Sequence, residues 1–168
     1  MKIRVTALFV VALVSLSVAG VNASAAERPV CRLEPIAGSE SFLSQRDSDG
    51  LDVMAMWMAT VDCPGSPLDG LTVEIQQIMR LRSLGGGAVG GPTRILIDFT
   101  SAGLRAEFRG DVRGDLAISS STAETTLEIR ANGERGSKFH GHETLTIDRS
   151  TGEVVAFKPG DADTTSGK

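Results

Sequence analysis

Apolar residues recur at every second position along much of this chain, which is the period of a β-strand with one buried face. Over residues 53–63, one face carries Val53, Ala55, Trp57, Ala59, Val61 and Cys63. The opposite face carries Met54, Met56 and Met58. A strand that is apolar on both faces either lies within a covered sheet or has one face against a ligand or a partner.

A longer strand is predicted over residues 104–118. Every even position there is apolar or glycine, whereas the odd positions from 105 to 115 alternate between arginine and an acidic residue. This is the pattern of a strand with one face in water. The turn at 100–103 predicts a hairpin in which Phe99 lies opposite Leu104 and Ile95 opposite Phe108.

The segment 66–84 fits two structures. Its alternation of apolar residues favours a strand, in which Gln77 is the only polar member of an apolar face. The Ser66-Pro67 start and the Gly85 stop would also suit a helix over 67–84, which is the alternative. The glycines of 85–92 predict a flexible connection.

Two further strands are predicted around Ile129 and Leu145, joined by a loop through Gly136 that places Phe139 opposite Ile129. Another strand follows at 154–158. The chain is therefore predicted to be all-β, a single antiparallel β-domain of about seven or eight strands arranged as a barrel or a sandwich. The domain covers 51–158, after an extended segment at 26–50 and before a disordered tail at 159–168.

The N-terminus has the three parts of a secretory signal peptide. Lys2 and Arg4 precede the apolar run 5–18, and Ala23-Ser24-Ala25 offers the small residues that signal peptidase accepts. The run is too short to cross a bilayer. We therefore expect a secreted or periplasmic protein that is cleaved near Ala25 and has no transmembrane span in its mature chain.

Cleavage would leave 15 basic and 21 acidic residues, a net charge of −6, since residues 1–25 contain two basic residues and no acidic one. Such a chain is poorly suited to binding nucleic acid, which requires cations that neutralise phosphates. In an oxidising compartment, Cys31 and Cys63 are expected to form a disulfide bond.

The candidate ligand-binding residues are those of the methionine-bearing strand: Met54, Met56, Met58 and Trp57. We expect a non-catalytic binding role, with no cofactor, and with an apolar small molecule or lipid or a protein partner as the ligand. No hydrolase motif is present, and no catalytic residue can be assigned. An enzyme that uses unidentified carboxylates remains an alternative.

A periplasmic copper-binding role is another alternative. Thioethers are soft donors that suit Cu(I), and His140 and His142, which share one strand face, could add an imidazole. Met-x-Met with a histidine and a nearby tryptophan is similar to the ligand set of small periplasmic copper-binding barrels, although here Trp57 lies between two methionines. The metal ligands of this alternative are Met54, Met56, Met58, His140 and His142.

Overall fold

The computed structural model describes residues 30–166, and these are almost entirely β-strand. Their nine strands are β1 (Val30–Pro35), β2 (Ser41–Arg46), β3 (Leu51–Asp62), β4 (Thr72–Gly85), β5 (Ala88–Phe99), β6 (Leu104–Ile118), β7 (Thr122–Gly133), β8 (Lys138–Asp148) and β9 (Val154–Thr165). Two single turns of 3₁₀-helix, Thr100–Ala102 and Glu134–Gly136, interrupt them. The prediction of an all-β, antiparallel domain is confirmed.

The sheet closes on itself. Strands β3 to β9 follow one another as antiparallel neighbours, and β1 pairs with β9 on one side and with β3 on the other. The result is an eight-stranded barrel with β2 as an additional strand beside the first half of β3. Of the two predicted architectures, the barrel is therefore the correct one.

The hairpin of β5 and β6 has the predicted register. Phe99 pairs with Leu104, Ile97 with Ala106, and Ile95 with Phe108. Ile95, Ile97 and Phe108 are buried, whereas the arginines and acidic residues of β6 face outward. Two matched alternations fix a register, because a slip of one residue would turn both apolar faces towards water.

The segment 66–84 forms the strand β4 from Thr72 onwards, and the helix over 67–84 is absent. The glycine-rich segment is a tight turn rather than a long flexible connection, since Gly85, Gly86 and Gly87 have positive φ and β5 begins at Ala88. Gly91 lies inside β5, where a Cβ would overlap the Arg80 carbonyl oxygen. A side chain at this position would clash with the neighbouring strand.

Two predictions near the C-terminus are wrong. Phe139 pairs with Ala131, not with Ile129, because the 3₁₀ turn is compact enough for β7 to continue to Gly133. Residues 159–165 are not a disordered tail but the second half of β9, where Ala162 is buried and pairs with both Gly141 and Leu33. This half-strand lies between β8 and β1, so ladder hydrogen bonds on both sides compensate for its lack of large apolar residues.

The extended segment at 26–50 contains β1 and β2, so the β-domain begins before residue 51. Both strands pair with the same edge of β3, and the turn 36–40 separates them. The predicted disulfide is present, since Cys31 in β1 is bonded to Cys63 immediately after β3. It joins the two strands at the place where the barrel closes.

The core fills the barrel interior, and the two ends differ. At the end where β3 finishes, the segment 64–71 places Leu68 and Leu71 against the core. At the end where β3 begins, strand ends and loop residues line a recess. The candidate site is therefore at the end of the barrel where β3 begins.

Candidate functional site

The recess at the open end has a volume of about 620 Å³. Six strands each contribute one apolar side chain to its lining. These are Leu51, Leu81, Val89, Leu116, Ala123 and Ile147, from β3 to β8 in order. The volume lies within the range of roughly 300–1,000 Å³ that is usual for small-molecule sites.

The loops around the recess are held in place by their own side chains. Asp47 accepts hydrogen bonds from the Asp49 and Gly50 amides at 2.8 Å and pairs with Arg80 at 2.6 Å. Asp148 accepts the Ser150 and Thr151 amides in the turn between β8 and β9. These contacts hold the pKa values of both aspartates below their usual range, the hydrogen bonds from the Asp49 amide and from Ser150 being the largest causes. Both carboxylates are therefore ionised at neutral pH, where they stabilise the loops by accepting these hydrogen bonds.

Three arginines line the rim of the recess. Arg149 donates hydrogen bonds to the carbonyl oxygens of Ser119 and Ser120, at 2.7 and 3.2 Å. Arg46 lies across Gly152, where a Cβ would overlap the Nη1 atom of the arginine. Within residues 30–166, neither Arg46 nor Arg82 forms a salt bridge.

The rim carries charges of both signs. Its lining contains three arginines, Arg46, Arg82 and Arg149, and three aspartates, Asp47, Asp49 and Asp148, of which Asp47 is paired with Arg80 outside the lining. The chain as a whole has a net charge of −4. The open end therefore combines an apolar floor with cations that are available to an anionic group.

Deeper in the barrel, a hydrogen bond crosses the interior. Gln77 in β4 donates from Nε2 to Glu143 Oε1 in β8, at 3.2 Å. These strands are four positions apart in a ring of eight, so the bond joins opposite walls of the barrel. The same amide nitrogen lies 3.3 Å from Thr93 Oγ1.

Burial raises the pKa of Glu143 to about 8, a rise that the hydrogen bond from Gln77 only partly opposes. The side chain is 2% exposed, so its carboxyl group is mostly neutral at pH 7. Within the described part of the chain, Glu143 Oε2, Gln77 Oε1 and Thr125 Oγ1 are buried without a hydrogen-bond partner. Buried polar atoms that lack a hydrogen-bond partner lower the stability of the fold.

The strand beside Glu143 is irregular. Gly141 pairs with Ala162 but Glu143 pairs with Pro159, so β9 has one extra residue at this point. A Cβ on Gly160, within this bulge, would lie 2.7 Å from the His142 carbonyl oxygen. Bulges bend a strand locally and change the direction of neighbouring side chains.

The residues predicted as a ligand site are divided between the two faces of β3. Trp57 is in the interior, where it packs against Phe157 with ring centroids 5.5 Å apart. Met54, Met56 and Met58 are on the outside of the barrel, where Met54 is cross-strand neighbour to the exposed Leu43 and Ile78. None of the four residues lines the recess.

His140 and His142 lie on the outer face of β8. Strands β9 and β1 separate β8 from β3, a distance across the sheet of about 14 Å at about 4.8 Å for each strand step. The histidines therefore do not lie beside the methionines. Instead, a carboxylate is near them: His140 Nε2 is 3.0 Å from Glu128 Oε1 in β7.

Sequence reasoning missed the recess and the interior pair for different reasons. The recess is built from strand ends and loops that are far apart in the chain, so no local motif marks it. The interior pair does leave a signal, because Gln77 and Glu143 each interrupt an otherwise apolar strand face. The alternation alone does not show that the two residues meet.

None of the helices in residues 30–166 is long and apolar enough to cross a membrane. No family model matches the chain, and no curated protein or solved structure matches it.

Proposed function

We propose that this protein is an exported, non-catalytic binding barrel. Its open end would hold a small amphipathic molecule that has an apolar body and an anionic head group. The observation that carries the proposal is the recess of about 620 Å³, with its apolar floor and its arginine rim. It supports a binding site at the barrel end rather than at the methionine face of β3.

The arrangement suits an amphipathic ligand for two reasons. Six apolar side chains can cover a hydrocarbon tail or ring and remove it from water, which stabilises a complex by roughly 25 cal/mol per Å² of buried surface. Arg46 and Arg82 stand at the water-facing edge, where a carboxylate or sulfonate would accept charge-assisted hydrogen bonds. A fatty acid has both parts.

Export is supported by the tripartite N-terminus and by the disulfide bond between Cys31 and Cys63. Disulfide bonds persist mainly in oxidising compartments. The predicted signal peptide itself lies outside the described residues.

Fluorescence titration with anilinonaphthalene sulfonate, followed by displacement with decanoate, tests the binding proposal. We expect one probe per chain, displaced by decanoate more readily than by the uncharged decanol. Leu116→Trp adds a ring inside the recess and should weaken probe binding by about ten-fold, because the ring occupies space that the probe needs. Arg82→Ala should weaken decanoate binding and leave decanol unchanged.

Met54→Ala and Met58→Ala are the matched controls, because these side chains lie on the outer face of the barrel. Both should bind the probe as the native chain does. Loss of binding in these variants with full binding in Leu116→Trp would move the site to the methionine face and overturn the proposal. Absence of probe binding by the folded native chain would overturn it as well.

A further inference from the structure

One cluster of metal-ligating side chains lies outside the recess, on the outer surface of β7 and β8. It consists of Glu128, His140 and His142, and we call it the His–Glu cluster. His142 is the cross-strand partner of Glu128, and His140 is two residues away on the same strand face. Among residues 30–166 this is the one group of three such side chains whose ligand atoms all lie within 4.8 Å of one another.

The geometry of the cluster brings the donor atoms together at one point. Glu128 Oε1 is 3.0 Å from His140 Nε2, and the two imidazole rings are 5.3 Å apart in an edge-to-face arrangement. The side chains of His140 and Glu128 are 49% and 39% exposed, so they can rotate without disturbing the core. Both cysteines are in the disulfide, so nitrogen and oxygen atoms are the donors available here.

We propose that the His–Glu cluster binds one divalent transition-metal ion of the zinc type. Two imidazoles and one carboxylate form a common three-ligand zinc set, with bonds of about 2.0–2.2 Å and a fourth position left to water. Donor atoms around such an ion are about 3.3 Å apart, so the cluster needs side-chain movements of only about 1–2 Å to close on it. This site is independent of the ligand proposed for the recess.

Neighbouring charged side chains affect the affinity of this site for a metal ion. Arg130 donates to Glu128 Oε1 at 2.6 and 2.9 Å and so competes for the oxygen that the metal requires. Asp163 of β9 is the cross-strand partner of His140 and is the nearest additional source of an oxygen ligand by register.

Equilibrium dialysis against Zn²⁺ at neutral pH, with protein free of any polyhistidine tag, tests the site. We expect one Zn²⁺ per chain, and a dissociation constant raised at least about ten-fold in His140→Ala, in His142→Ala and in Glu128→Gln, since each removes a direct ligand. Arg130→Gln removes the competing cation and should lower the dissociation constant. X-ray absorption of the zinc complex should show nitrogen and oxygen neighbours, two of them imidazoles, and no sulfur.

Glu124→Gln is the matched control, because Glu124 is an exposed carboxylate on the same face of β7. It should bind Zn²⁺ as the native chain does. Glu128 is half-buried and the other side chains are exposed, so thermal melting followed by circular dichroism should show every variant folded. Undetectable binding up to about 1 mM Zn²⁺, unchanged binding in a His140→Ala and His142→Ala double variant, or a sulfur neighbour in the absorption spectrum would each overturn the proposal.

Discussion

At the scale of single residues, Glu143 places a titratable carboxyl group in the apolar core, where ionisation would lower the stability of the fold. Its carboxyl group is buried between apolar walls and has only Gln77 as a hydrogen-bond partner within the described residues. Removal of a carboxylate from water is costly, and the cost is avoided when the group takes up a proton. The barrel therefore carries a neutral acid in its core at pH 7.

This residue predicts an unusual pH dependence of stability. The pKa of Glu143 is about 8 in the folded chain, against about 4.3 for an unfolded glutamate. Between these values the folded chain holds a proton that the unfolded chain has lost, so the associated stability is complete below about pH 4 and is lost as the pH rises to about 8. The free energy of unfolding should fall by up to about 1.4 kcal/mol per pH unit within this window.

Glu143→Gln removes the titrating group and keeps the shape, so urea unfolding of this variant should lose that slope between pH 5 and 8. Glu107 serves as the comparison. Arg94 and Arg109 lower the pKa of this partly exposed carboxyl group to about 2, so Glu107→Gln should change the slope of stability against pH only below about pH 4.5 and leave the slope above pH 5 unaltered. Equal slopes for the native chain and Glu143→Gln above pH 5 would show that Glu143 is ionised in the folded barrel.

At the scale of elements, β1 is the strand most dependent on its disulfide. It has six residues, and it pairs with β3 and with β9 through four residue pairs each. The other neighbouring strands of the barrel share ladders of about ten pairs, as β3 does with β4. The bond between Cys31 and Cys63 holds this short strand at the seam of the barrel.

Replacement of both cysteines, as Cys31→Ala with Cys63→Ala, should lower the free energy of unfolding by roughly 3–4 kcal/mol, because the unfolded chain regains the freedom of a 32-residue loop. Hydrogen exchange should show where the structure opens. We expect β1 amides to lose protection well before those of β5 and β6, which share the long hairpin. Unchanged melting, or a uniform loss of protection over all strands, would contradict a local role at the seam.

At the scale of the whole molecule, the described barrel lies downstream of the predicted cleavage site. The described barrel begins at Val30, so cleavage after Ala25 leaves all of residues 30–166 intact. Mass analysis of protein recovered from its native compartment should give an N-terminus at Ala26, or within a residue or two of it. Protein that retains Met1 there would contradict export through a cleaved signal peptide.

The sequence by itself determined most of the strands and the pairing of the β5–β6 hairpin. Alternation along β5 and β6 was sufficient to assign the register of Phe99 with Leu104, because both partners are close in the chain and both have one apolar face. The disulfide followed in the same way from there being two cysteines and a predicted oxidising compartment. These features depend on nearest neighbours along the chain or on a count, both of which a sequence contains.

The tertiary structure alone decided which face of β3 points inward, since both faces are apolar and alternation does not distinguish inside from outside. Closure into a barrel rests on the contact of β1 with β3 and β9, strands that are distant in the chain from one another. The same closure holds residues 159–165 in a strand although their composition resembles that of a loop. It also creates the recess and the pair of Gln77 and Glu143, because each of these joins side chains from strands whose spacing in three dimensions is set only when the ring is complete. The His–Glu cluster depends instead on the register of the neighbouring strands β7 and β8.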